Sequence, residues 1–336
     1  MKKQAVLLIN LGTPDHCDES SVYRYLKEFL NDPRVIDLPV FFRWPLVNLL
    51  ILPFRYKKSA AAYQKIWSEQ GSPLLCNSLN LKEALAKELG DDFHVELAMR
   101  YGQPSIATAL NKLADVHSLI VIPLFPQYSS AATGSAIEKL MTSIAKRWNQ
   151  PRLMIKNDFY HETGFISAYA EIIQNNLLKK SIDYILFSYH GLPERHVTKS
   201  NCTAVCDHLN ACPAIDETNA YCYRAQCYAT TEKIAQLLGL TKNQYGVAFQ
   251  SRLGRTPWIK PYTDLLLPQL VQQGIKNIAM VCPSFVADCL ETLEEVNIRA
   301  REQWQQAGGA EFIFIPCLNH SSSWVKALAN MIKVSN

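Results

Sequence analysis

The sequence predicts an α/β protein of two similar doubly wound, Rossmann-like domains, each built on a parallel four-stranded sheet. Three observations predict it. The chain has 336 residues, which exceeds one typical core and suits two domains of about 150 residues. Eight short apolar runs rich in branched residues recur along it, continuous rather than alternating, as strands buried on both faces are. Longer amphipathic stretches separate them, and strand–helix alternation implies parallel sheets covered on both sides.

The first strand is 5–11, almost at the start of the chain. An amphipathic stretch at 79–89 leads into the second, 94–99. The third, 119–124, is followed by a helix over 135–147 and a short fourth strand at 153–155, completing a domain over 1–165. A helix over 164–178 opens the second domain, 166–318, whose strands are 184–189, 245–249, 278–282 and 311–315. Between the first two of these lies a cysteine-rich insertion, 199–227, running into a helix at 225–238. The tail, 319–336, reads as a final helix packed back on the first domain. The halves echo each other. Val121-Ile-Pro-Leu-Phe-Pro126 and Val281-Cys-Pro-Ser-Phe-Val286 both set Pro and Phe at a strand end, as an old duplication would. In such folds ligands sit at the carboxyl ends of the strands.

Composition narrows the function. With 48% hydrophobic and 19% charged residues the chain is neither disordered nor built for heavy solvation. The 34 basic and 30 acidic residues leave a net charge of only +4, unlike the concentrated basic face of a nucleic-acid binder. No strand is followed by a GxGxxG or P-loop pattern, which excludes the usual nucleotide sites. No apolar run reaches the roughly 18 residues that span a bilayer. The greasiest stretch, 40–54, is broken by Arg43, Pro45, Asn48 and Pro53. It reads first as a core helix, and second as a lip making peripheral contact with a membrane. The start, Met1-Lys-Lys-Gln4, has no secretory h-region, so a cytoplasmic location is expected. There, ten cysteines are thiols or metal ligands rather than disulfides.

Three constellations carry chemistry. In Ser188-Tyr-His-Gly-Leu-Pro193, His190 lands where a buried strand ends, and Gly191 lets the chain turn away. An imidazole there is a proton acceptor near neutral pH and a metal ligand, although a histidine that merely closes a strand has the same position. In Asp288-Cys-Leu-Glu-Thr-Leu-Glu-Glu295, Asp288, Glu291 and Glu295 are spaced i, i+3, i+7, one face of an α-helix. Helix-dipole stabilisation explains Asp288 but not Glu295, which is beyond the first turn. A row of carboxylates handles a hard cation or relays protons. Third, Cys202, Cys206, Cys212, Cys222 and Cys227 place five of the ten cysteines in one short segment. Their gaps of three, five, nine and four residues include no CxxC; this looser spacing favours a [2Fe–2S] cluster, with zinc and reduced thiols as alternatives.

Taken in order, the motifs resemble the ferrochelatase family over nearly the whole chain. The matching strings are Leu8–Pro14, Ile66–Leu74, Arg100-Tyr101, Phe125–Ser129 with Thr133-Gly134, Ser188–Pro193, Phe249–Gly254 with Pro257-Trp258, and Ser284–Glu295. The resemblance implies a chelatase-type fold with the active site in the cleft between domains, and insertion of Fe²⁺ into protoporphyrin IX with release of two protons. It implies that His190 and Glu291 form the iron site from facing sides, with Asp288 and Glu295 as the relay leading away. Leu11, Arg100, Tyr101 and Tyr128 match porphyrin-lining positions. Cys289 stands where many relatives carry histidine. The insertion resembles that of a bacterial subgroup with an internal [2Fe–2S] site, which assigns Cys202, Cys206, Cys212 and Cys222 as ligands and Cys227 as the substitute. A cobalt or nickel chelatase of another tetrapyrrole, and a haem-binding or iron–sulfur redox protein without activity, are the competing readings.

Overall fold

A computed structural model describes residues 4–113, 116–200, 212–254 and 256–334. The chain divides into two compact units, one of Met1–Phe125, Ser129–Asp158 and Asn319–Asn336, the other of Pro126–Tyr128 and Phe159–Leu318.

The first unit carries strands β1 (Gln4–Gly12), β2 (Phe93–Tyr101), β3 (Ser118–Pro123) and β4 (Arg152–Ile155). They form one parallel sheet in the order β2-β1-β3-β4. The second unit repeats the plan with β5 (Tyr184–His190), β6 (Tyr245–Gln250), β7 (Asn277–Val281) and β8 (Glu311–Phe314), in the order β6-β5-β7-β8. All eight expected strands form, because strands covered on both faces need unbroken apolar runs. The two echoed strings occupy equivalent places at the ends of β3 and β7. Each core joins strand and helix side chains: Leu7, Ile9, Val121 and Leu140 in the first unit, Leu186, Met280, Val296 and Trp304 in the second. Within the first unit the last helix, Ser322–Val334, packs on the Pro73–Leu89 helix.

The stretch 40–54 departs from the core helix expected of it. It is helical, as Val40–Pro45, a π-helical turn Leu46–Ile51, and the start of the Leu52–Ile66 helix. Pro45 and Pro53 each remove a backbone donor. Only Val47 and Leu52 are buried, whereas Phe41 is 86%, Phe54 74%, Phe42 68% and Leu50 63% exposed. The interruptions that excluded a membrane span mark a helix with its apolar side outward. Among the described residues no helix is long and apolar enough to cross a membrane.

Candidate active site

β5 delivers His190 to a strand end as the sequence requires. The strand is buried up to Tyr189 and opens at His190, which is half-buried. Gly191 comes next because nothing larger fits: a Cβ there would lie 2.8 Å from the Gln250 carbonyl oxygen of the paired strand and 3.3 Å from the Trp258 ring. The imidazole Nδ1 lies 2.6 Å from the Gly191 carbonyl oxygen. A carbonyl only accepts, so Nδ1 carries the hydrogen and Nε2 of the neutral ring keeps its lone pair. The histidine's backbone is held at both ends. Its N–H donates to Ser284 Oγ (3.1 Å), and its carbonyl accepts from the hydroxyl of buried Tyr223 (2.8 Å). The rings of Trp258 and Phe285 flank it, with centroids at 6.5 and 6.4 Å.

The carboxylates follow β7 as expected, on a different helix from the one expected. Glu291–Ala300 is a π-helix, in which each hydrogen bond closes on the fifth residue rather than the fourth. Arg299 on this helix pairs with Glu294 at 2.8 Å and also reaches Glu295 at 3.9 Å. Asp288 precedes the helix. It is buried and accepts from Thr292 Oγ1 (3.0 Å) and the Cys317 N–H (3.2 Å).

Glu295 is the carboxylate that ties this row to His190. Ser251, just after β6, donates to it through both its N–H (2.9 Å) and its hydroxyl. Ser251 adopts φ +66 to do so, a conformation that costs a non-glycine residue energy and that clusters at functional sites. Burial pushes the Glu295 carboxyl above its ordinary range, and Glu291 adds to this, while Ser251, Arg299 and His190 act against it. Ser251 directly follows Gln250, the β6 residue paired with His190, so the same strand end that meets the histidine also holds Glu295. Gln250 completes it: its side-chain amide donates to the Glu291 carbonyl (2.9 Å) and its oxygen accepts from Ser188 (2.6 Å).

Tyr128 belongs to the same unit. Gln226, from the Tyr223–Leu237 helix, takes its N–H (2.6 Å), and its ring meets Tyr221 edge-on at 5.3 Å.

Leu11, Arg100 and Tyr101 lie at the ends of β1 and β2, where a closed network holds the last two. Buried Asp32 accepts from Arg100 Nη2, Tyr101 OH (2.9 Å), Ser135 Oγ (2.6 Å) and the Arg34 N–H (2.7 Å). Burial opposes ionisation of Asp32, but these donors hold its carboxyl below the usual range. Tyr101 is 0% exposed, so it offers a ligand no surface in this conformation.

Of the five clustered cysteines, Cys202 and Cys206 lie outside the described residues. Cys222 is buried and caps the Tyr223–Leu237 helix, its Sγ accepting from the Ala225 N–H at 3.4 Å. Cys212 Sγ accepts from Arg224 Nη1 at 2.9 Å. Burial pushes the Cys227 thiol up, with Cys222 and Cys212 close enough to contribute. Cys212 and Cys222 thus each have an N–H group aimed at sulfur. Among the described residues no group of three or more His, Cys, Asp or Glu is arranged as a metal-holding site.

Sequence reasoning from the residues alone missed Ser251, Gln250, Trp258 and Tyr223. Ser251 and Gln250 directly follow or end a strand, which was the available signal. Tyr223 and Trp258 act through chain folding that no local pattern announces.

A family model described as ferrochelatase matches residues 3–335. A ferrochelatase of Legionella pneumophila (strain Lens) is 54% identical over 330 residues, 98% of each chain. One from Coxiella burnetii (strain Dugway 5J108-111) is 53% identical, covering 99% of this chain and 94% of that one. Among solved structures, SirB from Bacillus subtilis with Fe3+ superposes with TM-score 0.53 at 11% identity, covering 99% of this chain and 95% of that one. At that identity it supports the fold alone.

Proposed function

The chain belongs to the ferrochelatase family, and from that premise we propose how its residues insert ferrous iron into a porphyrin. It is a metal chelatase of haem biosynthesis. We take protoporphyrin IX as the porphyrin, and Fe²⁺ as substrate rather than resident metal.

Insertion requires that two pyrrole protons leave while a hydrated cation sheds water. His190 Nε2 accepts a proton, since its lone pair is open and Nδ1 is committed to Gly191. Glu291 takes the iron, and one imidazole with one carboxylate leaves coordination positions open for transfer. Glu295, raised by burial and held by Ser251, binds a proton more readily than an ordinary carboxylate and passes it on, with Asp288 behind it. Trp258, Phe285 and Tyr128 supply ring surfaces against which a macrocycle held out of plane exposes its nitrogen lone pairs. The observation that carries this reading is that β6 joins the histidine to the acidic row: Gln250 pairs with His190 and donates to the Glu291 carbonyl, and Ser251 beside it holds Glu295. In an anaerobic assay, His190→Ala is expected to lower insertion by about 10³-fold and to bind porphyrin as tightly as the parent. Retained turnover removes His190 from the chemistry. Coproporphyrin run in parallel tests the choice of porphyrin.

Cys202, Cys206, Cys212 and Cys222 are proposed to hold a [2Fe–2S] cluster, with Cys227 as the substitute. Bound there, the cluster supplies a one-electron redox centre outside the insertion chemistry. The N–H groups on Cys212 and Cys222 support it. Iron and acid-labile sulfide in anaerobically purified protein, lost in Cys222→Ser, are the expected result.

The outward apolar face of 40–54 is proposed to rest on an anionic lipid surface. Phe41, Phe42, Trp44, Leu50 and Phe54 are exposed beside Arg43, Arg55, Lys57 and Lys58, the mixture that interfacial helices use. Co-sedimentation with anionic vesicles, abolished by Phe41→Ser with Phe42→Ser, tests it.

A further inference from the structure

The first turn of the Tyr223–Leu237 helix holds three consecutive residues with three different attachments. Cys222 and Tyr223 face different groups, Cys222 belonging to the cysteine segment and Tyr223 holding the His190 carbonyl (2.8 Å), while Arg224 binds Cys212 and the Lys260 carbonyl. Arg224 is only 1% exposed. A buried guanidinium is stable only where its hydrogens are taken and its charge is faced. Its Nη1 donates to Cys212 Sγ (2.9 Å), Nη2 to Tyr228 OH (3.2 Å) and Nε to the Lys260 carbonyl (3.1 Å), with the Tyr228 ring 4.8 Å below.

Lys260 is two residues from Trp258. The segment between them is fastened to the histidine turn, since Ile259 N–H donates to the Leu192 carbonyl (3.0 Å) and Trp258 bridges to Pro193. Trp258 also stands against Gly191 and beside the His190 ring. A short covalent and hydrogen-bonded path therefore runs from Cys212 sulfur through one guanidinium to the wall beside the imidazole.

We propose that Arg224 is a positioning residue that couples the cysteine group to the insertion site, with Cys212 sulfur and the Lys260 carbonyl as the two grips that link them. The sulfur fixes the guanidinium, and the guanidinium fixes the segment carrying Trp258. Oxidising or removing the sulfur slackens that segment. The redox side of this coupling rests on the cluster reading above, whereas the link from Cys212 to Trp258 does not.

A double-mutant cycle read as KM for protoporphyrin and kcat separates the two. Arg224→Gln and Cys212→Ser are each expected to raise KM about fivefold with kcat little changed, and the double variant to do no more than either. Arg224→Lys keeps the charge in a chain that folds, but it has no fork to hold both grips, so its KM rises equally. Additive effects, or a KM that none of the three moves, overturn the proposal. In protein carrying the cluster, Arg224→Lys is expected to make its reduction potential more negative, because an N–H bond to a ligating sulfur favours the reduced state. An unchanged potential overturns the redox coupling. If freshly purified wild type has neither cluster iron nor labile sulfide, the cluster reading fails, while the KM cycle still decides the role of Arg224.

Discussion

Each sheet ends its first strand against a glycine pressed onto the neighbouring strand, but the charges gathered at the two ends are opposite in kind. In the first unit Gly12 meets Tyr101, and the polar groups nearby form a closed set: one carboxylate, Asp32, with an arginine and three further donors around it. In the second unit Gly191 meets Gln250, and the groups nearby are an imidazole that commits Nδ1 to the Gly191 carbonyl and a row of carboxylates. Burial is resisted in the first case by donors that hold Asp32 down, and in the second it prevails and holds Glu295 up. The same scaffold thus carries one strand end with its charge balanced and one left unbalanced, the end to which the proposed chemistry is assigned.

Substitutions can break that contrast. Gly12→Ala is expected to have the largest effect. Its φ is +117 and a Cβ would sit 1.8 Å from the Tyr101 carbonyl oxygen, so a loss above about 3 kcal/mol or outright failure to fold is expected. Asp32→Asn leaves Arg100 without its counter-charge and should cost about 3 kcal/mol in thermal or chemical unfolding. Gly191→Ala has a milder clash and ordinary φ, and is expected to lose about 1–2 kcal/mol together with porphyrin affinity, because Gln250 and Trp258 must move.

The smallest effect sharpens the contrast most, because its sign is reversed. The folded pKa of Asp32 is lowered, so its contribution is present above about pH 3.9 and is lost as pH falls through the folded value. The folded pKa of Glu295 is raised, so its contribution is present below about pH 4.3 and is lost as pH rises through the folded value. Glu295→Gln should therefore raise the melting temperature at about pH 7, with a gain that shrinks toward about pH 5, and slow insertion at the same time. A lower melting temperature at neutral pH contradicts the burial account.

The scaffold was legible because its signal is crude. Runs such as Ala5–Ile9, wholly buried, leave no polar position to mislead, and His190 stood out as the polar end of such a run. The carboxylate row was legible as residue types but not as geometry. Nothing in Glu291–Ala300 announces a π-helix, and an α-helical spacing wrongly placed Asp288 on its face. The 40–54 stretch failed for a related reason: apolar content tells how much surface seeks cover, not whether this chain supplies it. Arg224 was invisible, since Cys212 and Lys260 lie 12 and 36 residues away and the second contact is to a backbone carbonyl.

The central claim is tested most directly by measuring single-turnover Fe²⁺ insertion in Glu291→Gln and Asp32→Asn side by side, with unfolding curves on both. Glu291→Gln is expected to melt like the parent and to insert iron about 10²-fold more slowly, while folded Asp32→Asn melts early and inserts at nearly the parent rate. Insertion at the parent rate in Glu291→Gln would contradict the assignment of the chemistry to the second strand end.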